Sequence, residues 1–194
     1  MPSLSDSLYP PGRVQQDNDP AGQLELYRIM VASSESLVNR RQGLNTFFLT
    51  LHGVILTAVG FLLGSAVDSG LRSAGLAGIT IVGTLLAWAW HSLLVSFGQL
   101  NRGKFAVINE LERHLPASIY TAEWVALGEG KDPQLYRSFT DREVWVPRVL
   151  MAAYATAFCV VVISMIVTQL PGLICWLNDL TIRPLVVPVP FMHG

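Results

Sequence analysis

The hydrophobic positions of the chain fall into three long segments, and the stretches before and between them carry nearly all of its charge. These segments cover residues 46–66, 74–97 and 149–170. Each is long enough to cross a bilayer as a helix, which takes about 20 apolar residues. The pattern therefore predicts an all-α membrane protein with three transmembrane helices.

The stretches before and between the spans also have helical patterns. Residues 23–45 contain no proline and place apolar side chains at helical spacing, so we expect a cytoplasmic helix that continues into the first span. Residues 98–148 predict a cytoplasmic helical region. Within it, LNRGKFAVINELERHLP predicts a short amphipathic helix that ends at Pro116, and SIYTAEWVALGEG predicts a second helix stopped by Gly128.

The two ends of the chain differ from the rest. Residues 1–22 are polar and proline-bearing, without the basic-then-apolar pattern of a signal peptide, and predict a disordered tail. Pro171 and Gly172 predict that the third span ends or bends there. Residues 171–194 would then form an extracytoplasmic tail.

Composition and charge agree with a membrane protein. Hydrophobic residues make up 51% of the chain and charged residues 14%, against about 25% charged in soluble domains. A net charge of −1 gives no reason to expect nucleic acid as a partner. Eleven of the 13 Lys and Arg residues precede the first span or lie in residues 98–148, and the positive-inside rule assigns both stretches to the cytoplasm.

The first span carries small and hydroxyl side chains at steps of three and four positions, which places them along one side of a helix. Helices in lipid associate through close contact between small residues rather than through the hydrophobic effect. We therefore expect this side, called the seam, to pack against a helix of the same subunit or of a neighbour; the alternative is a chance register. The seam consists of Thr46, Thr50, Gly53, Thr57, Gly60 and Gly64.

The first two spans each hold one histidine, His52 and His91. Each lies about two turns inside the inner boundary of its span, so we expect similar depths, at which the two could meet or line one ring in an oligomer. Ionisable side chains at membrane depth are costly and are candidates for function. The alternative is a neutral imidazole that hydrogen-bonds Thr50, Thr84, Ser92 or a backbone carbonyl and holds helices together.

The polar residues just before the first span include Arg40, Arg41 and Asn45. In an oligomeric pore the two arginines would form a cationic ring at the inner mouth and favour anions there. Together with Asn45 and the two histidines, they are the candidates for a pore and its gate. The alternative for the arginines is a positive-inside anchor.

The sequence lacks the motifs of the common catalytic and metal sites. GEGKD at 128–132 lacks the glycine and the Ser or Thr that a phosphate loop requires, and no nucleophile-elbow or zinc-protease motif occurs. Glu110, Glu112, Glu123 and Asp141 alternate with bases and indicate solvated faces. Cys159 and Cys175 form neither a disulfide framework nor a metal-ligand spacing. We expect no enzymatic activity, no cofactor and no metal.

Two long blocks of the chain resemble a known family. LYRIMVASSESLVNRRQGLNTFFLTLHGVILTAVGFLLG, followed by FGQLNRGKFAVINELERHLPASIYTAEWVALGEGKDPQLYRSFTDREVWVPRV, resembles the RipA-type small octameric membrane proteins of bacteria. The resemblance covers about residues 24–149 and implies a homo-octameric ring in the bacterial cytoplasmic membrane. More distantly, the chain is similar to the pore-forming membrane accessory protein of RNA-targeting CRISPR systems. No catalytic residues carry over.

Two classes of function follow. The first is an oligomeric pore or channel-like ring, and the second is a membrane-anchored scaffold, closed to ions, in which residues 98–148 dock a cytoplasmic protein. A small transporter is a weaker option because the three spans show no inverted repeat. The partners expected are membrane lipid and other copies of the chain.

Overall fold

Every regular element that the structure describes is a helix. The computed structural model of the protein describes residues 3–10, 20–132, 134–136 and 143–182. Three of its helices have an apolar stretch long enough to cross a membrane, which confirms the predicted all-α fold with three spans. The helices are α1 (Leu4–Leu8), α2 (Pro20–Gly64), α3 (Ser69–Glu112), α4 (Ile119–Ala126) and α5 (Trp145–Ile182).

Helices α2 and α3 are much longer than a membrane span. They have 45 and 44 residues, or about 65 Å each at 1.5 Å per residue. Residues 23–45 and the first span therefore belong to one helix. The amphipathic segment after the second span is not the separate short helix expected: α3 continues through it without a break and ends at Glu112, four residues before Pro116.

Helix α3 is the centre of the bundle and packs against α2 on one side and α5 on the other. The turn between α2 and α3 is short, and Asp68 ends it as the N-cap of α3. Its carboxylate accepts hydrogen bonds from the backbone N–H groups of Gly70 and Leu71, at 2.8 and 3.3 Å. An N-cap acceptor of this kind satisfies donors that the first helical turn leaves without partners.

Beyond the membrane segments, the long halves of α2 and α3 meet α4. We call this part, residues 20–45 and 98–132, the extramembrane end. Helix α4 ends at Ala126, and Gly128 follows with a φ of +65°, a left-handed conformation that glycine adopts without strain. Gly128 thus stops α4 where the sequence predicted.

Helix α5 differs from the sequence expectation at its C-terminal end. It does not end at Pro171 but continues to Ile182. Proline removes one backbone hydrogen bond, and the helix continues through it with its other backbone groups still paired. The end of the expected tail, residues 183–194, lies outside the described residues.

The N-terminal tail is also more ordered than expected. Residues 4–8 form α1, which a capping box begins: Ser3 Oγ accepts from Asp6 N at 3.0 Å, and Asp6 Oδ2 accepts from Ser3 N at 3.2 Å. Tyr9 then packs against His114, with ring centroids 4.9 Å apart. The prediction of disorder is therefore wrong for residues 3–10, while residues 1–2 and 11–19 lie outside the described part.

Candidate functional site

The seam faces out of the protomer. All six of its residues are exposed, and a Cβ added at Gly53, Gly60 or Gly64 would meet nothing within 4 Å. The buried residues of α2 lie on the other side, because residues two positions apart on a helix point about 200° apart: Phe48 and His52 are buried on either side of exposed Thr50. Two packing partners were expected for the seam, a helix of the same subunit or a helix of a neighbour. Among the described residues, no helix of the same subunit packs on it.

The threonine hydroxyls of the seam are satisfied within their own helix. Thr46, Thr50 and Thr57 each donate to the backbone carbonyl four residues earlier, at 3.2, 2.9 and 2.9 Å. The seam therefore presents methyl groups and glycine backbone to its surroundings, a surface that another helix can approach closely. On the far half of the membrane segment it borders an open groove between α2 and α3. The groove is lined by Thr50, Gly53, Val54, Thr57, Ala58, Phe61, Leu62 and Ile79.

The buried side of α2 takes part in an aromatic cluster that joins all three spans. The cluster consists of Phe48, His52, Trp90 and Tyr154. Phe48 stacks on Trp90 with centroids 5.7 Å apart, and His52 lies 5.9 Å from Trp90 and 5.6 Å from Tyr154. Offset aromatic pairs at these separations are stabilising beyond the area they bury. The cluster is the centre of the bundle within the membrane.

Two hydrogen bonds satisfy polar atoms of the aromatic cluster. Tyr154 Oη and His52 Nδ1 are 3.1 Å apart, and Trp90 Nε1 donates to Asn45 Oδ1 at 2.9 Å. His52 is only 2% exposed, and its Nε2 is buried without a hydrogen-bond partner among the described residues. Asn45, expected at the pore mouth, is thus a partner of Trp90 inside the protomer.

Tyr154 reaches His52 only because the residue it crosses on α3 is a glycine. A Cβ built on Gly83 would lie 2.8 Å from the Tyr154 ring, closer than Cβ atoms pack. Gly83 and Tyr154 are both buried. This close approach fixes how α3 and α5 pack together at this level.

The two histidines do not meet. His52 pairs with Tyr154, whereas His91 Nε2 accepts a hydrogen bond from Arg148 Nε at 3.1 Å. Tyr154 and Arg148 are six residues apart on α5, or about 9 Å along its axis, so the two histidines contact different turns of that helix. The similar membrane depth of the histidines stays a prediction.

The other hydrogen-bond partners expected for the histidines are engaged elsewhere. Thr50, Thr84 and Ser92 all donate to backbone carbonyls of their own helices. His52 still acts as an interhelical contact, as the alternative interpretation held, but through Tyr154. The sequence offered no way to select Tyr154, because it lies 102 residues away in an unremarkable apolar run.

The adjacent arginines have different surroundings. Arg41 forms an ion pair with Glu143: Nε lies 3.1 Å from Oε2, and Nη2 donates to Oε1 at 3.4 Å. This pair joins α2 to the residues that lead into α5. Arg40 is exposed and has no ion pair among the described residues. Of the two candidate cations, the charge of Arg41 is thus offset by a carboxylate and the charge of Arg40, among the described residues, is not.

A buried carboxylate, Glu112, holds the extramembrane end together. Its Oε1 accepts from Tyr27 Oη at 3.0 Å and from the backbone N–H of Tyr120 at 2.8 Å, while Oε2 accepts from the N–H and hydroxyl of Thr121 at 3.1 and 3.2 Å. The backbone donors belong to the first turn of α4, so Glu112 caps that helix from a distance, where its charge also suits the helix dipole. It joins α2, α3 and α4.

The environment of Glu112 differs from the solvated face that the sequence indicated. The residue is 1% exposed. Burial opposes its ionisation, but the four hydrogen bonds outweigh burial and hold the pKa of the carboxyl below its usual range. Burial and the Glu112 hydrogen bond raise the pKa of Tyr27 to about 12. Glu110 is buried too and pairs with Arg113, Glu123 is exposed, and Asp141 lies outside the described residues.

We expect Glu112→Gln to release α4. The amide keeps one acceptor but loses the charge, and hydrogen bonds to a charged group contribute about 1.5–3 kcal/mol. Hydrogen exchange at the amides of Tyr120 and Thr121 should accelerate strongly. Because the folded pKa of Glu112 is lowered, its stabilisation is present above the unfolded glutamate pKa of about 4.3 and is lost as the pH falls further. Wild-type protection should therefore fall on acidification, and unchanged exchange in the variant would contradict this role.

Comparisons with known proteins agree with this architecture. No curated protein and no solved structure matches the chain. A family model does match, over residues 24–163 of 194, which include α3 and α4 in full and most of α2. Because that match covers well over half of the chain, the protein belongs to the octameric membrane protein family (8xMP).

Proposed function

We propose that the protein assembles into an octameric ring in the bacterial cytoplasmic membrane and acts as a pore or channel-like conduit, not as an enzyme. The observation that carries the proposal is the outward seam: six small residues in register, all exposed, with no described residue of the protomer packed over them. A helix side that faced only lipid would gain nothing from this alignment. The family description supports other copies of the same chain as the neighbours.

In this proposal the extramembrane end lies in the cytoplasm, as the distribution of basic residues favours. Arg40 then lies at the inner mouth, exposed and without an ion pair among the described residues. Eight copies of such a cation around one axis would attract anions to the mouth. Arg41 contributes less to this field because Glu143 offsets its charge.

The gate of the proposed pore is the aromatic cluster. His52 is buried in the resting protomer, so it does not face a conduction path there. Its Nε2 has no hydrogen-bond partner among the described residues, and an unpaired buried polar atom costs about 1–3 kcal/mol. A rearrangement that brought water or a neighbour to Nε2 would recover part of that cost, which would favour an open state.

Arg40→Glu should shift ion selectivity towards cations while the oligomer stays intact. Reversal potentials across a salt gradient in reconstituted bilayers would measure the shift. Arg41→Glu is the matched variant: it places a carboxylate beside Glu143 and should lower thermal stability instead. Unchanged selectivity in a conducting Arg40→Glu oligomer would remove Arg40 from the pathway.

The alternative proposal is a membrane-anchored scaffold that is closed to ions. One observation favours it: α4 exposes Ile119, Trp124 and Val125 at the extramembrane end. Large apolar side chains that stay exposed outside the membrane can form an interaction surface. In that case residues 98–148 would dock a cytoplasmic protein.

Ion flux and assembled mass, measured on one preparation reconstituted in liposomes, separate the two proposals. Conductance from a stable oligomer would support the pore. A stable oligomer without conductance at any applied voltage, combined with a partner that binds the wild type but not Trp124→Ser, would support the scaffold.

A further inference from the structure

Arg148 is held by a neutral imidazole rather than by a carboxylate. Its Nε donates to His91 Nε2 at 3.1 Å. Because Nε2 accepts this hydrogen bond, the proton of the His91 ring is on Nδ1. A neutral acceptor orients the guanidinium without offsetting its charge. Arg41 makes the contrast clear, since its guanidinium faces the Glu143 carboxylate.

Most of the Arg148 guanidinium is available to a ligand. An arginine has five N–H donors, and the contact with His91 uses only the one on Nε. The two terminal nitrogens, Nη1 and Nη2, have no partner among the described residues, and the side chain is exposed. Paired N–H groups on the outer edge of a guanidinium match two oxygens of a phosphate.

The surroundings of this pair are those of a membrane–water interface. Arg148 directly precedes the apolar segment 149–170. Trp145, three residues before Arg148, is 65% exposed, and Trp88, three residues before His91, is 61% exposed. Residues three apart lie on the same helix face, so each indole flanks its polar neighbour. Exposed tryptophans are typical of the headgroup level of bilayers.

We propose that Arg148, positioned by His91, binds the phosphate of an anionic phospholipid in the leaflet next to the extramembrane end. The Nη donors contact the phosphate oxygens. Trp88, one turn closer to the membrane core than His91, lies against the glycerol and upper acyl region, and Trp145, one turn farther out than Arg148, lies at the headgroup level. A net negative headgroup is preferred because, among the described residues, no carboxylate pairs with Arg148 to offset its charge or to receive a choline cation. This site goes beyond the proposed pore and is independent of whether the ring conducts.

The test uses the full-length oligomer exchanged into vesicles of equal parts phosphatidylglycerol and phosphatidylcholine, then re-extracted in mild detergent. Mass spectrometry would count the lipids retained per subunit, and the assembled mass would be recorded on the same sample. Wild type should retain phosphatidylglycerol in preference. Arg148→Gln should retain about tenfold less, the scale expected for the loss of charge-assisted hydrogen bonds.

Arg102→Gln is the matched control. Arg102 is an exposed arginine of α3, eleven residues beyond His91 and so about 16 Å farther from the membrane. It should keep wild-type retention. His91→Leu should reduce retention with Arg148 still present, and His91→Gln, which restores an acceptor, should recover it.

Several outcomes would overturn the site. Equal retention by wild type and Arg148→Gln would show that the guanidinium holds no lipid. Equal loss in the two arginine variants would indicate general charge attraction. Full retention in His91→Leu would remove the positioning role of His91. Displacement of the lipid by inorganic phosphate alone would show an adventitious anion site. Finally, Arg148→Gln could lower the assembled mass and leave the lipid retained per subunit unchanged. That result would show that Arg148 pairs with a carboxylate of a neighbouring subunit rather than with a lipid.

Discussion

Replacing Gly60 with leucine is expected to break the oligomer into smaller species in detergent while each protomer stays folded. Gly60 is the middle residue of the C-terminal half of the seam, and a Cβ there meets no described atom of its own protomer within 4 Å. The added side chain therefore costs nothing until a neighbouring helix approaches. At a close helix contact, overpacking costs about 1–3 kcal/mol per interface, and every interface of a closed ring carries that cost.

The measurement is assembled mass in detergent, with helical content recorded beside it. Gly78→Leu is the control, because Gly78 is an exposed glycine of α3 that also has open space at its Cβ position. We expect Gly78→Leu to leave the oligomer intact. An intact oligomer in Gly60→Leu would mean that the seam faces lipid. Dispersal by both variants would instead indicate that added leucines, at any outer position, disturb the assembly.

The register of the seam could be predicted from the sequence, but its direction could not. A step of three and four positions fixes which residues share a helix side, since that follows from helix geometry alone. Whether that side faces inwards depends on which side the partner helices cover, and α2 is covered opposite the seam by α3. Composition gives no signal here, because small residues are suited to both kinds of contact in a membrane.

The partners in the interhelical polar contacts also could not be predicted from one sequence. His52 and Tyr154, Arg41 and Glu143, and Tyr27 and Glu112 are pairs separated by 102, 102 and 85 residues. No local pattern identifies such partners. Glu112 is the clearest case: among alternating charges it is typical of a solvated surface, yet the donors of α4 make it a buried anchor.

The C-terminal ends of α3 and α5 could not be predicted from the sequence for a different reason. Proline and the boundary of an apolar run are local signals of a helix end, but α3 passes the boundary at Phe97 and α5 passes Pro171. Beyond Phe97, α3 is held by tertiary packing, since Gly98, Ile108 and Leu111 are buried there, and such packing overrides weak local preferences. In α5, Pro171 removes one backbone hydrogen bond and the helix continues past it.

Gly83 lies on the same helix as Gly78 but should respond to leucine in the opposite way. A Cβ at Gly83 would lie 2.8–2.9 Å from three atoms of the Tyr154 ring, which is itself 4% exposed and hydrogen-bonded to His52. The ring cannot swing away without breaking the aromatic cluster. We expect Gly83→Leu to destabilise the protomer by about 3 kcal/mol, the upper end for overpacked cores.

Thermal unfolding in detergent, followed by tryptophan fluorescence, would measure this loss, because Trp90 belongs to the cluster. Gly78→Leu should unfold at the wild-type temperature, since leucine there meets open space and is a better helix former than glycine. The double variant Gly83→Leu with Tyr154→Ala supplies the decisive comparison. If the clash is the cause, removing the ring recovers part of the stability, and the two substitutions are non-additive. Additive losses would show that Gly83 is needed for some other contact, and the close crossing of α3 and α5 would then not be what fixes the packing of the third span.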